Sequence, residues 1–500
     1  MNAIAAIQLV LLLPLMAVVF TALFDKRPNV REMFTLAFGV ALLWVVASLA
    51  PEVFAGSRPE WTLPLTMIGG LPLAFKVEPL GMLFALVASG LWIATSCYSI
   101  GYMRGHHEKH QTRFYICFAI AIFAAMGAAL AKNMFTLFIF YEILTLSTYP
   151  LVTHHGTERA RRGGRTYLGI LLFTSIGMLL LAMAWTWNLA GTLDFIPGGI
   201  LAGNHAVTGE AIKISTLGLS LLLALYVFGT GKAAVMPFHR WLPAAMVAPT
   251  PVSALLHAVA VVKVGVFTVM KVVVYIFGTE LLTETGSSQV LMYVAAATVL
   301  LGSLVALTKD NLKARLAYST ISQLSYIVLG AMLANSMGII GGSMHIAMHA
   351  FGKITLFFCA GAIYVASHKT EISDMRGIGR IMPVTMFAFL LGSISVIGLP
   401  PFGGSWSKWY LALGAAEAKQ LPLIAVLMIS SLLNIAYLMP IAVRGFFFAP
   451  PGGPERPEVK EAPLMCVVPL CVTAVAGVAL FFFADKIYQW LLPITMGVSG

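Results

Sequence analysis

The stretch GTGKAAVMPFHRWLP, residues 229–243, places Lys232 in a strongly apolar segment, with a proline five residues after it. Apolar sequence precedes the stretch, and AAMVAPTPVSALLHAVAVVKVGV follows it, so the lysine lies within a predicted membrane span. A charge at the centre of a bilayer costs about 2.5–3.5 kcal/mol on insertion scales. Proline removes a backbone donor and clashes with the preceding helical turn. The stretch therefore predicts a membrane helix that breaks at Pro237 and carries a functional lysine beside the break.

The composition extends this prediction to the whole chain. Of the 500 residues, 59% are hydrophobic and only 10% are charged, whereas soluble domains are about 25% charged. Lipid-embedded backbone must satisfy its own hydrogen bonds, which favours helices. The sequence thus predicts an all-α polytopic membrane protein with about fourteen helical spans. The predicted spans are 3–24, 31–50, 78–103, 113–131, 133–152, 166–190, 213–243, 251–276, 289–308, 315–334, 339–366, 382–416, 421–444 and 463–484.

A second interruption, SVIGLPPFGGSWSKWYLALGA, lies in the predicted twelfth span at Pro400 and Pro401, with Lys408 just beyond it. The seventh and twelfth spans are each the fourth in a run of five. A unit of five helices crosses the membrane an odd number of times, so two consecutive copies have opposite orientation. The spacing predicts two inverted five-helix repeats, each with a discontinuous helix. The predicted domains are 1–112 with the first three spans, 113–276 and 289–444 with the two repeats, and 445–500 with a cytoplasmic loop and the last span.

The net charge of +11 reflects topology. If both termini lie outside, most loop lysines and arginines fall on the cytoplasmic side, as the positive-inside rule requires. The outer side then holds only Arg58, Lys76, Lys132, Lys213, Lys271, Lys419 and Lys486. We therefore expect a bacterial cytoplasmic membrane protein with periplasmic termini. The basic excess needs no nucleic-acid partner.

Ionisable residues inside the predicted spans are the main functional signal. One acid and four lysines remain there once loop charges are set aside: Glu142, Lys232, Lys263, Lys353 and Lys408. A buried ion pair of Glu142 with one lysine is the structural alternative for that pair. One carboxylate cannot neutralise four lysines, so the others must be hydrated or exchange their protons. We expect these five residues to form a proton path. In it, Glu142 is the counter-ion of Lys232, and its movement away would push a proton toward Lys263.

Histidines extend this predicted path. In GSMHIAMHAFGKITLFF, His345, His349 and Lys353 are spaced four residues apart and share one helix face. His257 lies six residues before Lys263, hence on another face of the eighth span. A histidine pair at this spacing can bind a metal, but no glutamate or cysteine accompanies it. The three histidines are predicted to be auxiliary members of the proton path, and no metal site is predicted.

Redox chemistry finds little support in the sequence. The five cysteines form no CxxC pair, and no iron–sulfur, haem or nucleotide motif is present. We expect this chain to carry no redox centre and no cofactor. The segment HHEKH at 106–110 could bind a metal, but a polar interfacial loop is the favoured interpretation.

Four segments in order resemble a known family: KAAVMPFHRWLPAAMVAPTPVSALLHA, DNLKARLAYSTISQLSYIVLG, HAFGKITLFFCAGAIY and GLPPFGGSWSK. They are similar to the antiporter-like proton-conducting subunits shared by Mrp-type sodium/proton antiporters, complex I and membrane-bound hydrogenases. The resemblance implies fourteen helices with an inverted five-helix repeat. It also implies key roles for Glu142, Lys232, Lys263 and Lys408, with Lys353 and its upstream histidines on a central polar axis.

Within that family, the length and the basic loop from Arg159 to Arg165 most resemble the Mrp D-type subunit, whereas Lys408 departs from the glutamate of the M-type subunit. The resemblance implies other membrane subunits of a hetero-oligomeric complex as partners, with protons and Na+ as transported ions. The first alternative is the proton-pumping arm of an NADH–quinone oxidoreductase or a hydrogenase, with redox chemistry on other chains. The second, an unrelated standalone transporter, is weaker because the sequence offers no other substrate site.

Overall fold

A computed structural model describes residues 2–66, 71–449 and 458–495. Helices make up most of this part of the chain, and the prediction of an all-α polytopic membrane protein is confirmed. The helices are α1 Ala3–Leu23, α2 Pro28–Phe54, α3 Pro79–Gly105, α4 Gln111–Ala129, α5 Met134–Val152, α6 Glu158–Ala190, α7 Thr216–Gly229, α8 Trp241–Ala244, α9 Thr250–Phe277, α10 Thr279–Thr285, α11 Gln289–Thr308, α12 Leu312–Met332, α13 Ser336–Ser367, α14 Ile378–Ile381, α15 Pro383–Ile397, α16 Gly404–Glu417, α17 Leu421–Phe447, α18 Leu464–Phe482 and α19 Ala484–Thr495.

Every predicted span has a helical counterpart. Within the described ranges, eleven helices are long and apolar enough to cross a bilayer. The remaining three predicted spans correspond to α12, which is 21 residues long but more polar, and to the two interrupted helices that begin with α7 and α15. Large apolar side chains such as Trp44, Leu432 and Val475 are exposed on the outside of the bundle, as expected of a lipid-facing surface.

Two elements were not predicted. An antiparallel hairpin joins α2 to α3, with strands β1 Glu60–Thr66 and β2 Pro72–Lys76. It is too short to be distinguished by periodicity from the polar connection in which it lies. The amphipathic helix α19 follows the fourteenth span. The domain boundaries and the inverted repeat stay predictions, and Arg456, with most of the predicted loop 449–463, lies outside the described residues.

The two interrupted helices break at the predicted prolines. In the first, α7 ends at Gly229, a single 3-10 turn carries Lys232, and Ala234 adopts a left-handed conformation with φ of 55° before Pro237. In the second, α15 ends at Ile397 and Gly398 takes φ of 88°, a conformation that glycine tolerates without strain. Each break frees carbonyl groups that need other hydrogen-bond donors.

The most buried helices carry most of the residues predicted to form the proton path. Every residue in the most apolar window of α9 is buried, and α13 is almost equally enclosed. At Gly265, α9 packs directly against the first break, where a Cβ would collide with backbone atoms of Lys232 and Ala233. The core of the bundle therefore contains charged groups as well as apolar ones. Each buried charged group requires a polar partner.

Candidate functional site

Lys232 points from the first break into α5. Its Nζ donates to the backbone oxygen of Tyr141 at 2.7 Å and to Oγ1 of Thr145 at 2.6 Å. The ammonium also lies 3.1 Å from the centroid of the Tyr141 ring, and the Tyr141 hydroxyl accepts from the Lys232 amide. The lysine is completely buried, so neutral acceptors and a ring face replace its hydration.

Glu142 lies next to Tyr141 on α5 but makes no direct contact with Lys232. Among the described residues, no cation comes within 4.0 Å of its carboxylate, and both of its oxygens are enclosed without a hydrogen-bond partner. Its charge acts on Lys232 through space. Glu142 and Lys232 therefore interact over a longer distance than in the buried ion pair that was the structural alternative for these two residues. A carboxylate without a protein partner requires water, a proton or a neighbouring chain.

Lys263 on α9 meets the histidine row of α13. Its Nζ lies 2.7 Å from Nδ1 of His349, and both residues are buried. The contact suits a charged lysine donating to a neutral imidazole and equally a neutral lysine accepting from an Nδ1–H group. It is a geometry in which a proton can lie on either side.

His345 and Lys353 complete the polar face of α13. His345 contacts Oγ of Ser407 through Nδ1 at 2.8 Å and Oε1 of Gln323 through Nε2 at 3.1 Å. The rings of His345 and His349 stack with their centroids 5.7 Å apart. One turn further, Nζ of Lys353 donates to Oγ of Ser319 at 2.7 Å. The predicted spacing therefore places all three α13 side chains in one connected polar row.

Lys408 caps the broken end of α15. Its Nζ donates to the carbonyl oxygens of Val396 at 3.1 Å and Ile397 at 2.8 Å, two of the acceptors that the break leaves free. A cation is favourable there because the helix dipole places partial negative charge at that end. Oγ of Ser431 is a third acceptor at 3.2 Å, and the Tyr326 ring lies 4.8 Å away.

The remaining predicted residue, His257, is enclosed beside Phe357 with a ring separation of 4.7 Å. Neither of its ring nitrogens has a hydrogen-bond partner, and the same holds for Nε2 of His349. Buried polar atoms of native proteins are normally satisfied by protein or by ordered water. Water molecules beside His257 and His349 would supply the hydrogen bonds that these ring nitrogens lack.

We call Lys263, His349, His345, Lys353 and Lys408 the central row. The positive charge of Lys353 repels that of Lys263, and the positive charge of Lys408 repels that of Lys353. No hydrogen bond between described residues joins Lys232 to this row; the close approach of α9 at Gly265 connects them. Lysine and imidazole groups held by neutral partners can accept and release protons.

Sequence reasoning missed one buried charge pair. Lys271, predicted among the charges of the outer side and near the end of the eighth span, lies in α9, where its Nζ is 2.6 Å from Oε2 of Glu78 at the start of α3. Its position eight residues after Lys263 was a usable signal, because this spacing continues the same helix face. Within the described ranges, no group of three or more histidine, cysteine or acidic side chains is arranged to hold a metal ion.

Comparisons with known proteins show the family to which the chain is related. A family model described as NADH:quinone oxidoreductase/Mrp antiporter, TM, matches residues 131–434, and one described as NADH-Ubiquinone oxidoreductase (complex I), chain 5 N-terminus, matches 66–115. The N-type subunit of the NADH-quinone oxidoreductase of Desulforudis audaxviator is 32% identical over 92% of the chain and 93% of its own length. The D-type subunit of the Na+/H+ antiporter of Alkalihalophilus pseudofirmus is 26% identical, with 97% and 95% covered. A chain of the Mrp complex from a Dietzia species superposes with a TM-score of 0.84 at 21% identity, covering 99% of this chain and 97% of that one.

Proposed function

Because the chain belongs to the NADH:quinone oxidoreductase/Mrp antiporter transmembrane family, we propose that it is the proton-translocating subunit of a multi-subunit Mrp-type Na+/proton antiporter. Protons move along Lys232 and the central row, with Glu142 setting the charge state of Lys232 through space. The partners are other membrane subunits of the same complex. The full-length similarity to the D-type subunit of an Na+/H+ antiporter supports the choice of the Mrp type.

One observation carries the proposal: the 2.7 Å contact between Nζ of Lys263 and Nδ1 of His349, two buried bases with no carboxylate between them. An ion-paired scaffold would place an acid beside each lysine, because an unpaired buried charge is costly. The lysines of the central row contact hydroxyls, carbonyls and imidazoles instead. Such partners tolerate both protonation states, as a relay requires.

A second candidate is the proton-pumping subunit of an NADH–quinone oxidoreductase or a membrane-bound hydrogenase. The similarity to the N-type subunit of an oxidoreductase over 92% of the chain favours it. The purified complex distinguishes the two candidates. Added Na+ should collapse a preformed pH gradient in vesicles if the complex is an antiporter, whereas oxidation of NADH by the same preparation would establish the second candidate.

The role of Glu142 is tested by Glu142→Gln. The amide keeps the shape of the side chain but removes the negative charge that acts on Lys232, so we expect proton transport to fall about tenfold or more, equivalent to about 1.4 kcal/mol in the barrier. The matched control is Glu158→Gln at the exposed start of α6. Proton uptake is measured in vesicles, with assembly checked by co-purification of the partner subunits. Full transport by an assembled Glu142→Gln variant would refute the relay.

A further inference from the structure

The loop after α3 and the loop after α5 bring five histidines together at one end of the bundle. This end carries most of the lysines and arginines of the loops and is the predicted cytoplasmic side. They surround a cavity of about 420 Å3. Its lining consists of His106, His107, Glu108, Lys109, His110, Arg113, Thr153, His154, His155 and Gly156. Sequence reasoning could not connect HHEKH with the histidine pair that follows α5, because more than forty residues separate them.

Glu108 is the centre of this cluster. Its Oε2 lies 3.9 Å from Nε2 of His154 and 3.6 Å from Nδ1 of His155. The three side chains differ in exposure, with 36% of His155, 8% of Glu108 and 2% of His154 accessible. Both ring nitrogens of His154 lack a hydrogen-bond partner. The Glu108 carboxylate therefore lies between two imidazoles: that of His155 is partly exposed to solvent, and that of His154 is enclosed without a hydrogen-bond partner.

A second cavity, of about 480 Å3, adjoins the first. His155 lines both cavities. Lys313 lines the second one, with its Nζ donating to the carbonyl oxygen of Ala248 at 2.6 Å, and Thr250 at the start of α9 lines it too. A polar, open space of this size holds water.

A polar face of α9 leads from this second cavity to the interior. Thr250, Ser253 and His257 are spaced by three and four residues, which places them on one side of the helix. Oγ of Ser253 is buried without a partner, as are both nitrogens of His257. His257 interacts electrostatically with Lys313 on the cavity side and with Lys353 of the central row on the other. His257 thus lies between the cavity and the row.

We propose that Glu108, His154 and His155 form a proton-collecting site, which passes protons through the second cavity and the Thr250–Ser253–His257 face to Lys353. This inference rests on the proposed function, because it supplies the entry for the same relay. Glu108 takes a proton from water in the first cavity and passes it to His155. His155, which lines both cavities, releases it to water in the second cavity, and the reverse transfers empty the site.

The charges around the cluster suit this role. Burial raises the pKa of Glu108 above its usual value, although His155 and Lys313 oppose the shift. Burial lowers the pKa of His154 to about 4, and the positive charge of Arg113 on α4 contributes to this shift. His154 is therefore neutral at physiological pH. The other charged or titratable groups lining the two cavities are His106, His107, Lys109, His110, Arg159, Lys369, Glu371 and the tyrosines Tyr102 and Tyr364.

The test uses the intact complex in inverted membrane vesicles, which expose the predicted cytoplasmic end. For Glu108→Gln, alone and combined with His154→Asn, we expect proton transport at about pH 8 to fall about tenfold, a modest general acid–base effect. Added imidazole should restore most of the rate, because a small mobile buffer delivers protons directly to the second cavity. The control is His107→Asn. His107 lines the same cavity and has a left-handed φ of 53°, which asparagine also tolerates.

Two outcomes would overturn the inference: wild-type rates in the assembled Glu108→Gln variant, or a slow rate that imidazole does not restore, which indicates a structural role. The single variant provides the test if the double variant does not assemble. Failure of the proposed function gives a different result, since Glu142→Gln would then transport normally. If the relay is correct and only the entry is wrong, Glu142→Gln is inactive while Glu108→Gln is unaffected.

Discussion

Lys263 and Lys271 lie on the same helix, two turns or roughly 12 Å apart, yet they have opposite environments. Lys271 has a full carboxylate partner in Glu78 at 2.6 Å, with the rings of Phe195 and Tyr275 packed 4.2 and 4.6 Å from its ammonium. Lys263 has one polar contact among the described residues, the neutral imidazole of His349. Both lysines are fully buried, so exposure does not distinguish them.

The difference separates a structural charge from an exchangeable one. A lysine beside a carboxylate is held in its charged form, because losing the proton would leave the acid unpaired in the core. A lysine beside an imidazole faces another base that can hold the same proton. Lys353 and Lys408 also lack a carboxylate partner among the described residues, since hydroxyl and carbonyl oxygens are their acceptors. The chain thus uses buried lysine in two ways within one helix bundle.

The largest effect on transport is expected from Lys263→Met. Methionine matches the length and apolar character of the lysine stem but cannot hold a proton, so the central row is interrupted. Proton transport in reconstituted vesicles should fall about tenfold or more. Lys486→Met, at an exposed site on α19, is the control. A Lys263→Met complex that assembles and transports at half the normal rate would remove the distinction between the two lysines.

An intermediate effect, on stability rather than transport, is expected at the paired lysine. Glu78→Gln alone leaves Lys271 buried without its counter-charge and should destabilise the fold by about 3–5 kcal/mol. Adding Lys271→Met to that variant should recover most of the loss, because both charges are then gone. Thermal unfolding of the detergent-solubilised complex measures both.

Transport by the double Glu78→Gln/Lys271→Met variant sharpens the comparison. We expect a rate within about twofold of the unmodified complex, the change that less than 1 kcal/mol in the barrier produces. If the double variant is stable but inactive, Lys271 belongs to the relay. A carboxylate partner would then not distinguish a lysine with a structural role from one that exchanges protons.

The smallest effect is expected from Ser319→Ala. Its hydroxyl accepts from Lys353 at 2.7 Å and also from the hydroxyl of Tyr437 at 2.8 Å. Loss of one hydrogen bond to a charged group costs about 1.5–3 kcal/mol, part of which water in the core can replace, so the rate should fall about threefold. Ser325→Ala on the same helix is the matched control, because within the described part of the chain the Ser325 hydroxyl bonds only to the backbone oxygen of Ile321 in its own helix. Equal rates for the two variants would show that the acceptor of Lys353 is not limiting.

The sequence predicted the spans and the two breaks because hydropathy and proline act locally, within a single helix. It also identified the α13 row, since His345, His349 and Lys353 share one face by spacing alone. It could not pair Lys271 with Glu78, which are 193 positions apart, because contacts between helices depend on packing. For the same reason it predicted Glu142 as the counter-ion of Lys232 but not the groups that the Lys232 ammonium contacts, which are Thr145 and the backbone of Tyr141. The transport roles of all these residues stay predictions.

The absence of a side chain at Gly265 has a mechanical consequence. Because α9 touches the backbone of the first break at that residue, a shift of the break displaces α9, and Lys263 lies only two residues from the contact. The backbone at Lys232 and the helix that carries Lys263 are therefore in rigid contact, so a movement of the break caused by a change in charge at Glu142 would also move Lys263 relative to His349. A bulkier residue at position 265 would push the break and α9 apart and weaken this mechanical coupling while leaving every ionisable group in the chain.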